Sequence, residues 1–318
     1  MSDLLSRRDM LRRAGGIVAG VALGVESAPA AAQHTVKYST GTESAKSPAP
    51  PGATDCHFHI YDNRFPPAPG GLPAPDALPD DYKALMLRTG TTRGVVVQPS
   101  LFGTDNRPTI EGMKTLGPNF RAVAVVNTSV TDEELKKMHD AGVRGIRFNL
   151  VQIGATSLDM LEPLSARVDA MGWHCQVHMQ GAKIVEAADT FLRVKGRLVF
   201  DHLAHCPEPQ GVDSDTFKVM RRLLDKGNTW VKLSGLYMDT KIGPPTYSDS
   251  VAVARAFATA APHRVVWGSD WPHPTEKPDR KPDDAVLFDL LAACVPDEAS
   301  RKRVLVDNPA ELYDFPKA

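Results

Sequence analysis

The 318-residue sequence predicts one large α/β domain, a (β/α)8 barrel, and three observations carry that prediction. Eight short, β-branched or apolar runs recur between residues 54 and 270. Amphipathic segments that stop at glycine separate them, as in "DEELKKMHDAG" (132–142) and "LEPLSARVDAMG" (161–172). No glycine fingerprint for a dinucleotide follows the first run, which argues against a doubly wound open sheet. A long Pro-rich loop, "YDNRFPPAPGGLPAPDALPDD", stands there instead and suits a lid over a barrel mouth.

In chain order the expected strands are "TDCHFHI" (54–60), "GVVVQPS" (94–100), "FRAVAVV" (120–126), "GIRFNL" (145–150), "HCQVHMQ" (174–180), "RLVFDHLA" (197–204), "TWVKLSG" (229–235) and "RVVWGSD" (264–270). Runs that are apolar on both faces and alternate with helices belong to a parallel sheet. In a barrel of this kind the reactive groups gather at the C-terminal ends of the strands.

The barrel is expected over residues 53–318. Ahead of it, twin arginines Arg7 and Arg8 precede a weakly apolar Gly/Ala/Val run and then small residues, the order of a twin-arginine export signal (1–32) cleaved after Ala30 or Ala32. The apolar run from Ala14 to Val25 is too short to span a bilayer comfortably. The mature protein is therefore expected in the periplasm, delivered by the twin-arginine export machinery. Residues 33–52, polar and Pro-rich, are expected to form a disordered tether.

Composition narrows the partners. A formal net charge of −1 gives no bulk electrostatic reason to bind nucleic acid or, after signal cleavage, a membrane surface. Cys56, Cys175, Cys206 and Cys294 show no CxxC spacing and read as buried thiols.

Alternation along a strand sends His57 and His59 to one side, which at the end of a barrel strand is the mouth. The other runs end in polar groups of their own: Arg147 and Asn149 on the fourth, His178 on the fifth, His202 on the sixth and Asp270 on the eighth. Four histidines and an aspartate from four strands thus converge. Asp270 also reads as a helix N-cap ahead of "WPHP". His174 is assigned a structural role, and His34, His139 and His263 are expected in solvent. His205 and His273, in loops beyond the sixth and eighth strands, are placed to touch substrate. Trp267 and Trp271 are expected to pack against the barrel.

HxH on the first strand, a His on the sixth, "WGSDWPHP" on the eighth, "GVRGIRFNL" (142–150) and the closing "NPAELYDF" (308–315) together resemble the amidohydrolase superfamily, in its amidohydrolase-2 branch. The resemblance covers about residues 53–318. It is strongest to the group of 2-pyrone-4,6-dicarboxylate lactonases and galactarolactone isomerases.

That resemblance implies a hydrolase opening a carboxylate-bearing lactone, with Asp270 handling the proton of an attacking water. A carboxylate of ordinary pKa can accept that proton and return it to the leaving alkoxide. His57, His59 and His202 would polarise the carbonyl, directly or by holding a cation. The resemblance leaves both routes open. "RFNL" lacks the bridging Lys or Glu of two-metal members. His57, His59, His178 and Asp270 would make a three-nitrogen, one-carboxylate site for zinc or manganese. Arg147 would grip a substrate carboxylate, and Ser100, His205, Tyr237 and Lys241 are further candidate contacts. Ile153, His205 and Met238 stand roughly where the pyrone group carries more arginines, which favours a substrate with fewer negative charges. The rival readings are a metal-dependent decarboxylase, a lactone isomerase and a periplasmic binder.

Overall fold

Every residue of the strands beginning at Thr54, Arg93, His174 and Thr229 is buried, as strands covered by helices on one face and by their own barrel on the other must be. The structure, a computed structural model, describes residues 35–71, 73–151 and 154–317. The expected export signal, His34 and Ile153 lie outside the described residues. The strands are β1 (Thr54–Phe58), β2 (Arg93–Val97), β3 (Phe120–Ala124), β4 (Val143–Asn149), β5 (His174–His178), β6 (Arg197–Phe200), β7 (Thr229–Leu233) and β8 (Val265–Trp267). They pair in parallel in sequence order, so the expected (β/α)8 barrel is the architecture found.

Two apolar layers follow from the alternation. Val96, Ile146, Val177 and Val231 face the helices, in one cluster with Tyr82, Leu85 and Leu135. Val95, Val97, Val123, Val199 and Trp230 face inward, where Leu312, Tyr313 and Phe315 of the C-terminal segment close the floor. Above that floor the inward positions turn polar: Gln176, Lys232, Arg147 and Asp201 are all 3 % exposed or less.

The seam between β1 and β8 positions the site. β1 slips register against β2 between Asp55 and Phe58. Cys56 accordingly packs with the inner cluster and Phe58 with the outer one, stacked on Tyr82. The backbone N–H of Asp270 donates to the His57 carbonyl at 2.7 Å, and that of His59 to the Trp271 carbonyl at 2.8 Å. Gly268 permits this approach, since a Cβ there would lie 2.6 Å from the His57 Cβ. The carboxylate of Asp55 locks the seam from beneath, accepting from the His57 and Ser269 N–H groups and from the Ser269 and Tyr82 hydroxyls.

One expectation is corrected. Residues 35–52, read as a disordered tether because they are polar and Pro-rich, lie along the barrel. Val36 is buried, the Lys37 carbonyl accepts from Trp271 Nε1 at 2.7 Å, and the Thr40 and Glu43 carbonyls each accept from the Arg88 guanidinium at 2.8 Å. Arg88 is completely enclosed, and this segment supplies most of its acceptors. Composition does not register such partners because they are backbone carbonyls. His139, expected in solvent, is also engaged, stacked on Trp173 and accepting from its Nε1 at 2.9 Å. All four cysteines are buried free thiols, with burial pushing Cys206 and Cys294 up to about 12. Among the described residues no helix is long and apolar enough to cross a membrane.

Candidate active site

The strand ladders stop one to four residues short of the runs read from the sequence, and the residues released there turn into the mouth. His57 and His59 enter from β1 and Asp270 from the turn after β8. His202 enters from a left-handed turn after β6, in which His202, Leu203, Ala204 and His205 all have φ between 46° and 55°. Four successive non-glycine residues in that region are strained by roughly 1–2 kcal/mol each. The surrounding packing holds them there, with all four side chains buried.

Three donors form a near-equilateral triangle. His57 Nε2 lies 3.3 Å from His59 Nε2, and each lies 3.4 Å from Asp270 Oδ1. His202 Nε2 approaches the same oxygen at 3.7 Å. Asp270 Oδ1 is buried and accepts no hydrogen bond, whereas Oδ2 accepts from the Tyr237 hydroxyl at 2.6 Å. His59 Nδ1 is 2.8 Å from the Val97 carbonyl, which can only accept, so that nitrogen carries a hydrogen and Nε2 is the atom turned to the triangle. Burial lowers His57 well below its usual value and His202 to about 4, keeping both rings neutral near pH 7. For Asp270 burial works against ionisation, but the facing imidazoles, His202 foremost, outweigh it and hold the carboxyl well below the usual range.

This donor set fits a single divalent cation. A tetrahedral shell with zinc-to-ligand bonds of about 2.0–2.1 Å has edges of roughly 3.3–3.4 Å, the sides of the triangle. A buried carboxylate oxygen without a hydrogen-bond partner is the remaining sign. His178, expected as a fourth ligand, does not join it. Its Nδ1 faces Arg147 Nη2 at 3.3 Å and its Nε2 faces His205 Nε2 at 3.0 Å. A second grouping, of His57, Asp201 and His202, shares two of its imidazoles with this cluster.

Beside the triangle opens a cavity of about 290 Å³, lined among others by His59, Ser100, Arg147, Asn149, His178, His202, Met238 and Asp270. Pro73 and Ala74, from the loop after β1 that was expected as a lid, are among its lining residues. Arg147, Ser100 and Asn149 thus reach the place expected of them. Arg147 is also anchored, to Asp201 Oδ2 and to the Gln98 carbonyl, each at 3.3 Å. Tyr237, His205 and His273, read as substrate contacts, are not among the residues lining the cavity. His205 is held by Asp239 at 2.9 Å, and Tyr237 by Asp270 and His273.

Sequence reasoning missed the charged layer under the site. Lys232 Nζ donates to Gln176 Oε1 at 2.7 Å and to the Cys56 carbonyl at 2.9 Å, and lies 3.2 Å from His57 Nδ1. Asp201 Oδ1 is 3.2 Å from that same nitrogen. Burial lowers Lys232 to about 8 even against the pull of Asp201. The signal was present as a lysine inside "TWVKLSG" and an aspartate directly before His202, charges within apolar runs.

A profile described as Amidohydrolase matches residues 54–315. The chain belongs to the amidohydrolase family. This amidohydrolase is 36 % identical over 277 residues to the 2-pyrone-4,6-dicarboxylate hydrolase of Comamonas testosteroni, covering 83 % of this chain and 90 % of that one. It is 34 % identical to the D-galactarolactone isomerase of Agrobacterium fabrum, over 87 % of this chain and 96 % of that one. It is equally, 34 %, identical to the 4-sulfomuconolactone hydrolase of Rhizobium radiobacter, over 83 % and 90 % of the respective chains. A crystal structure of an Agrobacterium tumefaciens protein superposes with a TM-score of 0.82 at 30 % identity, covering 89 % of this chain and 100 % of the other. The family and group expected from the HxH, strand-six His and "WGSDWPHP" elements are those found.

Proposed function

We propose that this amidohydrolase opens a small anionic lactone by water attack, with Asp270 as the base. The observation that carries the reading is Asp270 Oδ1, ionised, free of hydrogen bonds and ringed by imidazoles at the wall of a cavity that also holds Arg147. Relatives acting on 2-pyrone-4,6-dicarboxylate and 4-sulfomuconolactone support a substrate of that class. A cavity of about 290 Å³ suits a compact molecule, being at the lower edge of the roughly 300–1,000 Å³ usual for small-ligand sites.

The water oxygen attacks the acyl carbon while Oδ1 takes its proton. The tetrahedral intermediate collapses, the ring C–O bond breaks, and Asp270 returns the proton to the leaving oxygen. His202 lines the cavity beside the developing oxyanion, and Arg147 holds a substrate carboxylate to fix the ring's orientation. A divalent cation, zinc or manganese, would be held by His57, His59 and Asp270 and would polarise the carbonyl. We further infer that the protein works in the periplasm, the twin arginines and small-residue run of residues 1–32 supporting export.

The test pairs elemental analysis of the purified protein with pH-stat assays on 2-pyrone-4,6-dicarboxylate, 4-sulfomuconolactone and D-galactarolactone, before and after chelation. Base uptake matching ring opening supports the hydrolase. Evolution of carbon dioxide from an aromatic carboxylate, with no ring opening of any lactone, would replace it with a decarboxylase.

A further inference from the structure

The two oxygens of Asp270 have different surroundings. Oδ1 faces the imidazoles without a hydrogen-bond donor, and Oδ2 is taken by the Tyr237 hydroxyl at 2.6 Å. Behind that hydroxyl the line continues. Tyr237 Oη lies 3.2 Å from His273 Nδ1, and His273 Nε2 lies 3.1 Å from Asp284 Oδ2. Asp284, His273, Tyr237 and Asp270 therefore form one row, drawn from the loop after β7, the turn after β8 and the start of helix Asp284–Asp289. His273 and Asp284 are both 0 % exposed and neither lines the cavity, so substrate meets neither.

The turn that sets this row is strained at both ends. Asp270 has φ 62° and His273 φ 57°, and the His273 N–H donates back to the Asp270 carbonyl at 2.7 Å. Left-handed backbone at two non-glycine residues costs stability and persists where the surroundings require it. Here it directs one ring at the far side of the Tyr237 hydroxyl.

We propose that His273 is a positioning residue: acting through Tyr237, it keeps Asp270 Oδ2 occupied and presents Oδ1 to the attacking water. This role rests on Asp270 being the base. A carboxylate held at one oxygen cannot swing about its terminal torsion, and the other oxygen stays within reach of the water. Loss of His273 frees the Tyr237 hydroxyl from its rear support and lets the carboxylate rotate. A displacement of about 1 Å at a reacting group costs up to roughly a hundredfold in rate.

The experiment is steady-state kinetics of the full-length enzyme on whichever of the three lactones above it opens fastest, with thermal melts to establish folding. His273→Leu is expected to lower kcat about 10- to 100-fold with KM changed less than threefold. His273→Asn, whose amide reaches the Nδ1 position, should recover most of that loss. In a Tyr237→Phe background, His273→Leu should add less than twofold, because the intermediary is already gone. An equal penalty in both backgrounds, or unchanged kcat in His273→Leu, would overturn the proposal. Should His273→Leu not fold, Asp284→Asn takes its place, and the same background-dependent kcat loss is required of it. Asp270→Asn separates the two levels: full activity in that variant removes the base itself, whereas a dead Asp270→Asn beside an unaffected His273→Leu removes only the positioning role.

Discussion

The Nε2 atoms of His178 and His205 face each other at 3.0 Å, which turns His178 away from the triangle of His57, His59 and Asp270. The set read from the sequence had four ligands, and the geometry brings together three. His178→Asn should therefore keep the metal stoichiometry of the wild type while His59→Asn reduces it at least tenfold. Elemental analysis of both variants, after dialysis against the same zinc-buffered solution, checks this. Equal loss in both would restore His178 to the ligand set.

Arg147 supplies a charge to the cavity while tethered to Asp201 and the Gln98 carbonyl. Lysine keeps the charge and loses the fork. Arg147→Lys should raise KM for a dicarboxylate lactone roughly 10- to 100-fold with a smaller change in kcat, a pattern that initial-rate measurements resolve. For an uncharged lactone the change in KM should be under threefold.

Asp55 lends itself to a pH experiment on stability. Burial lifts its carboxyl from 3.8 to about 6, against the hydrogen bonds from Ser269, the His57 N–H and Tyr82. Between those values the native state holds more protons than the unfolded chain, so this contribution is fully present below pH 3.8 and declines as pH rises to about 6. The decline amounts to at most about 3 kcal/mol. Denaturant titrations at several pH values should show it in the wild type and not in Asp55→Asn. That variant should also be less stable by about 1–3 kcal/mol, because one acceptor becomes a donor facing Ser269.

The segment 35–52 should contribute measurably to stability. Without it Arg88 keeps Asp283 but loses the Thr40 and Glu43 carbonyls and the Ser39 hydroxyl, and Trp271 Nε1 loses the Lys37 carbonyl. A chain beginning at residue 53 is expected to be less stable by about 3 kcal/mol or more, a fall in Tm of roughly 6–12 °C. Calorimetry of the two chains reads the difference directly. Equal melting temperatures would show that the segment adds nothing.

The barrel was legible because its signal is repetitive. Each of β1 to β8 falls on an apolar run between helical patterns, and burial on both faces leaves no other role for such runs. Strand ends were read one to four residues too long, since His59, His202 and Asp270 stand within three residues of apolar strand positions although they have left the ladder. The triangle was legible because alternation and barrel order send His57, His59 and Asp270 to one mouth. The turned-away ring of His178 was not, since a rotamer depends on Arg147 and His205, neighbours in space only. Lys232 and Asp201 were hidden for a related reason. Their charges face each other at 3.6 Å beneath the site, and nothing in local sequence announces a partner on another strand.

The seam at β1 and β8 has a consequence for the order in which the protein comes into being. Asp270 N–H meets the His57 carbonyl across 213 positions of chain (270 less 57), so the donor triangle is completed by the most distant pairing in the barrel. Closing so large a loop is entropically costly and slow, and on the ribosome it waits until β8 has emerged. A half-barrel intermediate would hold His57 and His59 with no carboxylate between them. The donor triangle, and the ring-opening chemistry proposed for Asp270, are thereby withheld until the last strand has docked against the first.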